Sequence, residues 1–182
     1  MNVLLIGNGG RENALAWAIS KSPLLGKLFI APGNPGTAGL GTNVMLSIGE
    51  HAKVIEYCRE KGIDLVVVGP EAPLVDGIAD ALTKAGIRVF GPSKAAAQLE
   101  GSKDFTKSIC DAANVPTAGY KTFTDKAGAL AYIREKGAPI VVKYDGLMAG
   151  KGVTVAESVA EAEGAITALY DNEDNAKVVI ED

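Results

Sequence analysis

Residues 143–152 combine glycines and lysines in one short segment, KYDGLMAGKG, which lies between two apolar segments. Glycines let backbone amides approach a polyphosphate, and lysine ammonium groups add positive charge to such a cradle. The segment is not a Walker A loop, because Asp145 stands where that motif needs glycine and Gly152 where it needs serine or threonine. The pattern therefore predicts a glycine-rich cover over a polyphosphate, with a plain hairpin as the alternative.

A second glycine-rich segment, residues 7–12 (GNGGRE), follows an apolar strand and precedes a helical pattern. Amides at a helix N-terminus bind phosphate, so the segment predicts a phosphate or small-molecule site, with a purely structural turn as the alternative. NAD is disfavoured because Gly10 follows Gly9 directly, which breaks the G-x-G-x-x-G spacing. The next strand also ends in Ile30-Ala31-Pro32-Gly33, without the acidic residue that would hold a ribose.

Two more loops follow strands of the same predicted sheet. Residues 33–37 (GNPGT) follow the second strand, and Glu71 follows the third. Open α/β sheets bind ligands at the carboxyl edge of their strands, so the three loops are expected to converge on one crevice. Taken singly, each loop is also a common turn, and the glutamate a common helix cap.

Two isolated charged residues are further candidates. Lys103 begins a predicted helix, where a cation opposes the helix dipole and suggests an anionic ligand nearby. A solvated surface lysine is the alternative. Glu181 ends the last apolar strand, where it is either a hinge contact or a solvated terminus.

The histidine and cysteine content excludes several classes of site. The chain has one histidine, His51, and two distant cysteines, Cys58 and Cys110, so neither a zinc site nor a disulfide framework is expected. Both cysteines lie in helical patterns and are predicted to be buried structural thiols. A hydrolase triad would need His51, for which a solvated or helix-capping role is predicted. These residues therefore favour neither a zinc site nor a hydrolase triad.

The overall composition predicts a globular protein of the cytoplasm. The 182 residues carry a net charge of -4, which gives no electrostatic reason to bind nucleic acid or an anionic membrane. No apolar run approaches the roughly 18 residues of a transmembrane helix. Any anionic ligand must therefore be held by local sites.

The hydrophobic pattern divides the chain into an α/β half and an α+β half. Apolar strands alternating with helical patterns predict a Rossmann-like parallel sheet for the first half. Its strands are predicted at 2–6, 27–31, 64–68 and 88–90, and its helices at 12–20, 50–61 and 73–85. Two helices follow, at 93–100 and 102–113. The second half predicts strands at 120–123, 139–143, 153–156 and 177–182, with helices at 125–136 and 158–170. Because the chain stops on an apolar strand, we expect a fragment of a longer protein.

Five ordered motifs carry a resemblance to a known family along the whole chain: VLLIGNGGRENALAWA, APGNPGT, DLVVVGPEAPLVDGIAD, GPSKAAAQLEGSK and PIVVKYDGLMAGKGV. The sequence resembles phosphoribosylamine-glycine ligase, also called glycinamide ribonucleotide synthetase, of the ATP-grasp superfamily. It departs from the family pattern at Asn13, where histidine is usual, and at Tyr144 and Met148, where alanines are usual. The resemblance implies a Rossmann-like substrate-binding domain over 1–100 and part of an ATP-grasp domain over 101–182.

The resemblance also implies a reaction. Glycine, 5-phosphoribosylamine and ATP would give glycinamide ribonucleotide, ADP and phosphate through a glycyl phosphate, a step of purine biosynthesis. ATP would act with Mg²⁺ or Mn²⁺, whose ligands are expected beyond residue 182. The chain alone is therefore expected to be inactive, and none of its residues is assigned as catalytic or as a metal ligand. Lys103 and Lys143 would be the nucleotide-phosphate lysines, and Glu181 would begin the adenine hinge. The lid loop over the phosphates would contain Asp145, Gly146, Gly150, Lys151 and Gly152.

The first domain would hold the phosphoribosylamine through Gly9, Gly10, Arg11, Gly36, Thr37 and Glu71. By the same resemblance, Gly9, Gly10 and Arg11 would lie near its phosphate and Glu71 near its ribose hydroxyls. Two alternatives stay open: an ATP-grasp carboxylase-type enzyme, and a non-catalytic nucleotide-binding module. A dehydrogenase is the least favoured interpretation.

Overall fold

The computed structural model describes residues 1–148, 150–173 and 175–182. The chain forms two compact units, Met1–Ala97 and Gln98–Asp182. Each unit has its own sheet and its own hydrophobic core.

The first unit is built on a parallel five-stranded sheet in the order β3-β2-β1-β4-β5. Its strands are β1 (Asn2–Gly7), β2 (Lys27–Pro32), β3 (Thr42–Asn43), β4 (Leu65–Val68) and β5 (Val89–Phe90). This sheet confirms the Rossmann-like prediction. The short strand β3 was not predicted, because its two residues are polar and exposed and give no apolar signal.

The helices of the first unit cover both faces of this sheet. They are α1 (Gly10–Ser20), α2 (His51–Glu60), α3 (Glu71–Asp76) and α4 (Ile78–Lys84), with a short 3-10 helix at Thr37–Gly39. Helix α5 (Lys94–Gly101) contains the point where the two units divide. Successive residues of β1 face opposite sides of the sheet, so Leu4 packs with Val54 and Leu82, while Leu5 packs with Ala16.

The single helix predicted over 73–85 is wrong. The chain forms α3 and α4 instead, because Gly77 between them adopts a positive φ of 101°. The Gly77 amide caps α3 by donating to the carbonyl oxygens of Pro73 and Leu74. Only glycine adopts this left-handed conformation without strain, and the apolar periodicity of the segment did not reveal the break.

The second unit contains an antiparallel four-stranded sheet in the order β6-β9-β7-β8. Its strands are β6 (Tyr120–Phe123), β7 (Ile140–Tyr144), β8 (Val153–Ala156) and β9 (Val178–Glu181). Its helices are α6 (Lys103–Ala113), α7 (Lys126–Lys136) and α8 (Val159–Asn172). The predicted order of strands and helices is confirmed.

Helices α7 and α8 begin at side-chain caps that the sequence carries. The side chains of Asp125 and Ser158 accept hydrogen bonds from Gly128 N and Glu161 N, respectively. Such a cap stabilises a helix by about 1 kcal/mol. The two helices pack on one face of the sheet, where Val142 and Ile180 are buried in the core.

The opposite face of this sheet carries two charged residues on its central strands. Lys143 follows Val142 on β7, and Glu181 follows Ile180 on β9, so both side chains point away from the core. Lys143 pairs with Val179, which places Glu181 at the diagonal position of the neighbouring strand. Long side chains reach each other across such a diagonal.

The burial of the cysteines and the role of His51 agree only in part with the sequence predictions. Cys58 is buried, as predicted, and burial raises the pKa of its thiol to about 11. Cys110 is only half-buried, so its predicted burial is wrong. His51 Nε2 lies 2.9 Å from Asp76 Oδ2, which makes its side chain a contact between α2 and α3 rather than a solvated or capping group.

No described helix is both long enough and apolar enough to cross a membrane.

Candidate functional site

Three loops meet at the carboxyl edge of the first sheet, as the sequence predicted. The Arg11 guanidinium donates to Gly69 O at 2.8 Å and lies 2.9 Å from Glu71 Oε1. The Asn34 side-chain amide donates to Asn8 O at 2.9 Å. Side chains therefore tie the glycine-rich loop after β1 to the loops that follow β2 and β4.

A buried carboxylate that the sequence analysis missed organises the glycine-rich loop. Glu12 is 4% exposed and accepts a hydrogen bond from Gly9 N at 2.6 Å. A Cβ at Gly7 or Gly69 would lie 2.4 or 2.2 Å from the Glu12 side chain, so both glycines make room for it. A glutamate three residues after a helix cap is the sequence signal that could have revealed this role. Gly10, in contrast, borders open space.

Gly36 and Thr37 lie in a tightly bonded loop. Thr37 is fully buried, and its hydroxyl accepts from Asn34 N at 2.8 Å and donates toward Asn43 Oδ1 at 2.7 Å. A Cβ at Gly36 would lie 2.6 Å from Asn13 Oδ1. The Thr37 hydroxyl thus fixes the shape of this loop, and Gly36 allows Asn13 to approach it.

At this edge of the first sheet, the side chains of Arg11 and Glu71 are 59% and 38% exposed. The pKa of Glu71 is lowered by a hydrogen bond from its own backbone amide and by the Arg11 guanidinium. An ionised carboxylate accepts hydrogen bonds from hydroxyl groups, and a guanidinium binds phosphate. The pair therefore offers chemistry suited to a sugar phosphate.

In the second unit, a cavity of about 400 Å³ brings three lysines and two glutamates together. Its lining residues are Leu99, Glu100, Lys103, Thr106, Lys107, Thr117, Lys143 and Glu181. The structure thus collects Lys103, Lys143 and Glu181, which the sequence singled out separately. Lys107 was missed, although it lies one helical turn after Lys103 on α6 and so shares a face with it. The three ammonium groups exceed the two carboxylates by one charge, so the lining keeps a net positive charge for an anionic ligand.

Both oxygens of the Glu181 carboxylate face lysines. Lys143 Nζ lies 2.6 Å from Oε2, and Lys107 Nζ lies 3.3 Å from Oε1. Glu181 is 8% exposed, and Lys107 is 7% exposed. An unpaired buried charge is costly, so Glu181 needs a cationic partner, and two lysines lie close enough to serve.

The base of the loop after β7 is tied to the first turn of α6. Asp145 accepts hydrogen bonds from Ser102 Oγ at 3.0 Å and from Asp104 N at 3.1 Å. Lys103 Nζ donates to Gly146 O at 3.0 Å. The Asp145 carboxylate, placed by sequence in the lid loop, therefore satisfies a first-turn amide and the Ser102 hydroxyl at the N-terminus of α6.

A neighbouring ion pair, also missed from the sequence, completes this base. Lys177 Nζ lies 2.5 Å from Asp104 Oδ2 and 3.3 Å from Asp145 Oδ2. Thr122 Oγ1 donates to the other oxygen of Asp104. The hydrogen bond with Lys177 lowers the pKa of Asp104 and raises the pKa of Lys177.

Comparison with protein families covers both units. A model described as "Phosphoribosylglycinamide synthetase, N domain" matches residues 1–100, and one described as "Phosphoribosylglycinamide synthetase, ATP-grasp (A) domain" matches residues 101–182. The chain belongs to the phosphoribosylglycinamide synthetase family. The resemblance predicted from the five sequence motifs is confirmed.

Individual relatives of the family agree with this assignment. A phosphoribosylamine-glycine ligase of Mesorhizobium japonicum is 59% identical over 185 residues, covering 100% of this chain and 44% of the relative. A crystal structure of phosphoribosylamine-glycine ligase from Thermotoga maritima has a TM-score of 0.79 at 29% identity, covering 100% of this chain and 44% of that one. The chain thus spans less than half the length of these relatives.

A more distant solved structure shares the fold. The ADP complex of purK, an N5-carboxyaminoimidazole ribonucleotide synthetase, has a TM-score of 0.77 at 20% identity, covering 99% of this chain and 46% of that one. A Rossmann-like unit followed by part of an ATP-grasp unit is therefore the fold of this family member.

The two departures from the family pattern in the second unit pack at the base of the lid loop. A Cβ at Gly146 would lie 2.5 Å from the Tyr144 ring, and one at Gly152 would lie 2.8 Å from Met148. The Tyr144 hydroxyl donates to Glu173 Oε2 at 2.9 Å, and this hydrogen bond raises the pKa of Tyr144.

The predicted lid loop also includes Gly150, which has a positive φ of 80°, and Lys151, which is exposed. Ala149 lies outside the described residues.

Proposed function

We propose that this chain supplies the nucleotide-phosphate site and the phosphoribosylamine site of an ATP-dependent phosphoribosylamine-glycine ligase. The observation that carries the proposal is the cavity of the second unit, which is lined by Lys103, Lys107, Lys143 and Glu181. These four residues lie in the part of the chain that the ATP-grasp family model matches. The proposed reaction joins glycine to 5-phosphoribosylamine, and it releases ADP and phosphate. We place it in the cytoplasm, as the sequence predicted.

The chemistry explains why ATP is needed. A carboxylate is a poor electrophile, so a glycine carboxylate oxygen first attacks the γ-phosphorus and displaces ADP. The amine nitrogen of phosphoribosylamine then attacks the carbonyl carbon of the glycyl phosphate, and inorganic phosphate leaves. Enzymes that transfer phosphoryl groups act chiefly by positioning the reactants and by neutralising charge.

The residues of the second unit have distinct parts in this proposal. Lys103 and Lys143 neutralise charge on the nucleotide phosphates, and Glu181 accepts a hydrogen bond from the adenine amino group. The loop from Asp145 to Gly152 covers the phosphates, with Asp145 and Gly146 anchoring its first end to α6. A glycine-rich cover approaches the phosphates with backbone amides and excludes water.

In the first unit, Arg11 would bind the phosphate of phosphoribosylamine, and Gly10 would leave space beside it. Glu71 would accept hydrogen bonds from the ribose hydroxyls. Gly9 contributes through its bond to Glu12, and Gly36 and Thr37 shape the neighbouring loop. In this proposal the exposed Arg11 and Glu71 bind the ligand, and buried groups such as Glu12 fix the shape of the loops.

The proposal includes a divalent cation, Mg²⁺ or Mn²⁺, bound with ATP, as the resemblance implies. Within the described residues, no group of three or more histidine, cysteine, aspartate or glutamate side chains is arranged to hold a metal ion. No described residue is therefore assigned as a ligand of that cation.

The test is ADP release by the whole protein with ATP and phosphoribosylamine supplied, in the presence and absence of glycine. Glycine-dependent ADP release with formation of glycinamide ribonucleotide is the expected result. ADP release that responds to bicarbonate but not to glycine would move the assignment to a carboxylase-type enzyme. ATP binding without turnover on any of these substrates would favour a nucleotide-binding module.

A further inference from the structure

Lys107 lines the cavity of the second unit and is buried, but the function proposed above gives it no contact with the nucleotide. Its ammonium group donates to Thr117 Oγ1 at 2.8 Å and to Ala118 O at 3.0 Å, and it lies 3.3 Å from Glu181 Oε1. A lysine ammonium has three donors. Two hydrogen bonds and one ion pair to protein oxygens therefore hold the Lys107 ammonium group in place.

Lys103 and Lys143 differ from Lys107 in this respect. Within the described part of the chain, Lys103 Nζ donates to one protein oxygen, that of Gly146, and Lys143 Nζ contacts one carboxylate, that of Glu181. Both therefore keep donors that a phosphate can accept. The three lysines thus divide into one that is held by the protein and two that can turn to a ligand.

The charge of Glu181 makes this division important. Lys143 lies 2.6 Å from Glu181, and a carboxylate at that distance offsets the charge that Lys143 offers to a phosphate. With Lys107 present, the group of Lys107, Glu181 and Lys143 carries one net positive charge. Without Lys107 it would be neutral, and Lys143 would be the sole close counter-ion of a buried carboxylate.

We infer that Lys107 is a positioning residue that neutralises Glu181 and thereby leaves Lys143 free to bind the nucleotide phosphates. This inference rests on the proposed nucleotide site. Lys107 acts through Glu181 and Lys143 and does not itself touch the ligand. Its fixed contacts to Thr117 and Ala118 keep the positive charge beside Glu181 whether or not a nucleotide is bound.

The test uses Lys107→Met in the whole protein, because methionine keeps an unbranched apolar stem and removes the charge. The KM for ATP and the dissociation constant for ATP are expected to rise about tenfold or more, the effect of losing a charged hydrogen-bond partner, while kcat changes less. Lys121→Met is the matched control, since Lys121 is exposed on β6 outside the cavity. It should leave both constants unchanged.

A second pair of variants separates positioning from a merely structural role. In a Glu181→Gln background there is no carboxylate to neutralise, so adding Lys107→Met should not weaken ATP binding further. An equal loss of ATP affinity in both backgrounds would overturn the inference, as would a change below twofold in the single variant. If Lys107→Met alone does not fold, the double variant is compared with Glu181→Gln, and equal ATP affinities are again required.

ATP binding is measured by calorimetry without glycine or phosphoribosylamine. The measured ATP affinity therefore does not depend on whether the protein catalyses the ligase reaction. Wild-type protein that binds ATP but shows no glycine-dependent turnover would refute the proposed ligase and leave the Lys107 test intact. Wild-type turnover with unchanged ATP affinity in Lys107→Met would refute the role of Lys107 alone.

Discussion

The two candidate sites differ in their balance of charge: the first pairs a cation with an anion, and the second has more cations than anions. At the edge of the first sheet, Arg11 pairs with Glu71, and the buried carboxylate of Glu12 accepts the Gly9 amide. The cavity of the second unit is lined by three lysines, of which Lys143 and Lys107 contact Glu181, while Lys103 and Lys143 keep donors for a ligand. A glycine-rich motif alone is therefore weaker evidence for an anion site than an excess of cations in one cavity.

The largest effect on activity is expected when a lysine proposed to bind the nucleotide phosphates is removed. Lys143→Met in the whole protein should lower the rate of glycine-dependent ADP release by about 10²–10³-fold, the usual cost of removing one group that stabilises developing charge. Lys121→Met controls for the general loss of a surface lysine. A rate within tenfold of wild type would show that Lys143 does not bind the transferred phosphate.

The next effect concerns stability rather than activity. Gly7→Ala should destabilise the protein by about 2–3 kcal/mol, because its φ is 131° and its Cβ would lie 2.4 Å from the Glu12 side chain. Gly10→Ala, whose Cβ meets open space, is the control and should change stability by less than about 1 kcal/mol. Urea unfolding measures both. Similar stabilities for the two variants would contradict the packing role of the glycines around Glu12.

A smaller effect is expected in the pH dependence of stability. The pKa of Asp104 is lowered from its ordinary value of 3.8, mainly by Lys177. A lowered carboxyl pKa contributes stability that is present above pH 3.8 and is lost as the pH falls through the pKa of the folded state.

Asp104→Asn should remove this contribution, which we expect to be about 1 kcal/mol or less for a partly exposed pair. Unfolding free energies at pH 7 and at pH 3 measure it. Asp171→Asn, which removes a more exposed pair with Lys126, is the control. A steeper loss of stability with acid in Asp104→Asn than in wild type would contradict the direction of the shift.

The smallest effect is expected at a departure from the family pattern. Tyr144→Phe removes an exposed hydrogen bond to Glu173 but keeps the ring that packs on Gly146, so the KM for ATP should change by less than about threefold. Tyr144→Ala removes the ring as well and should change this KM more. Equal values for the two variants would show that the ring does not position the loop.

The sequence predicted those parts of the molecule that depend on local patterns. The strands at 120–123 and 153–156 agree residue for residue with β6 and β8, since each is a short segment between clear turn signals. The break at Gly77 was missed because apolar periodicity continues across it. Strand β3 was missed because it is short and polar.

The sequence predicted that three loops meet at the first sheet, but it named the candidates of the second unit only one by one. Lys103, Lys143 and Glu181 were named as candidates and share one cavity, whereas Lys107 and Lys177 were not named. Their partners are distant in the chain: Lys107 reaches Glu181, and Lys177 reaches Asp104. The spacing of residues within one helix or strand does not predict contacts of this kind, because they form only when distant segments of the chain fold together.

We propose that the second unit binds the nucleotide and that the first unit binds the phosphoribosyl group. The most direct test is calorimetry of the whole protein with ATP and with ribose 5-phosphate, on wild type, Lys143→Met and Arg11→Met. We expect Lys143→Met to weaken ATP binding and to leave ribose 5-phosphate binding unchanged. Arg11→Met should weaken ribose 5-phosphate binding and leave ATP binding unchanged. Loss of ATP binding in Arg11→Met with normal binding in Lys143→Met would contradict this proposal.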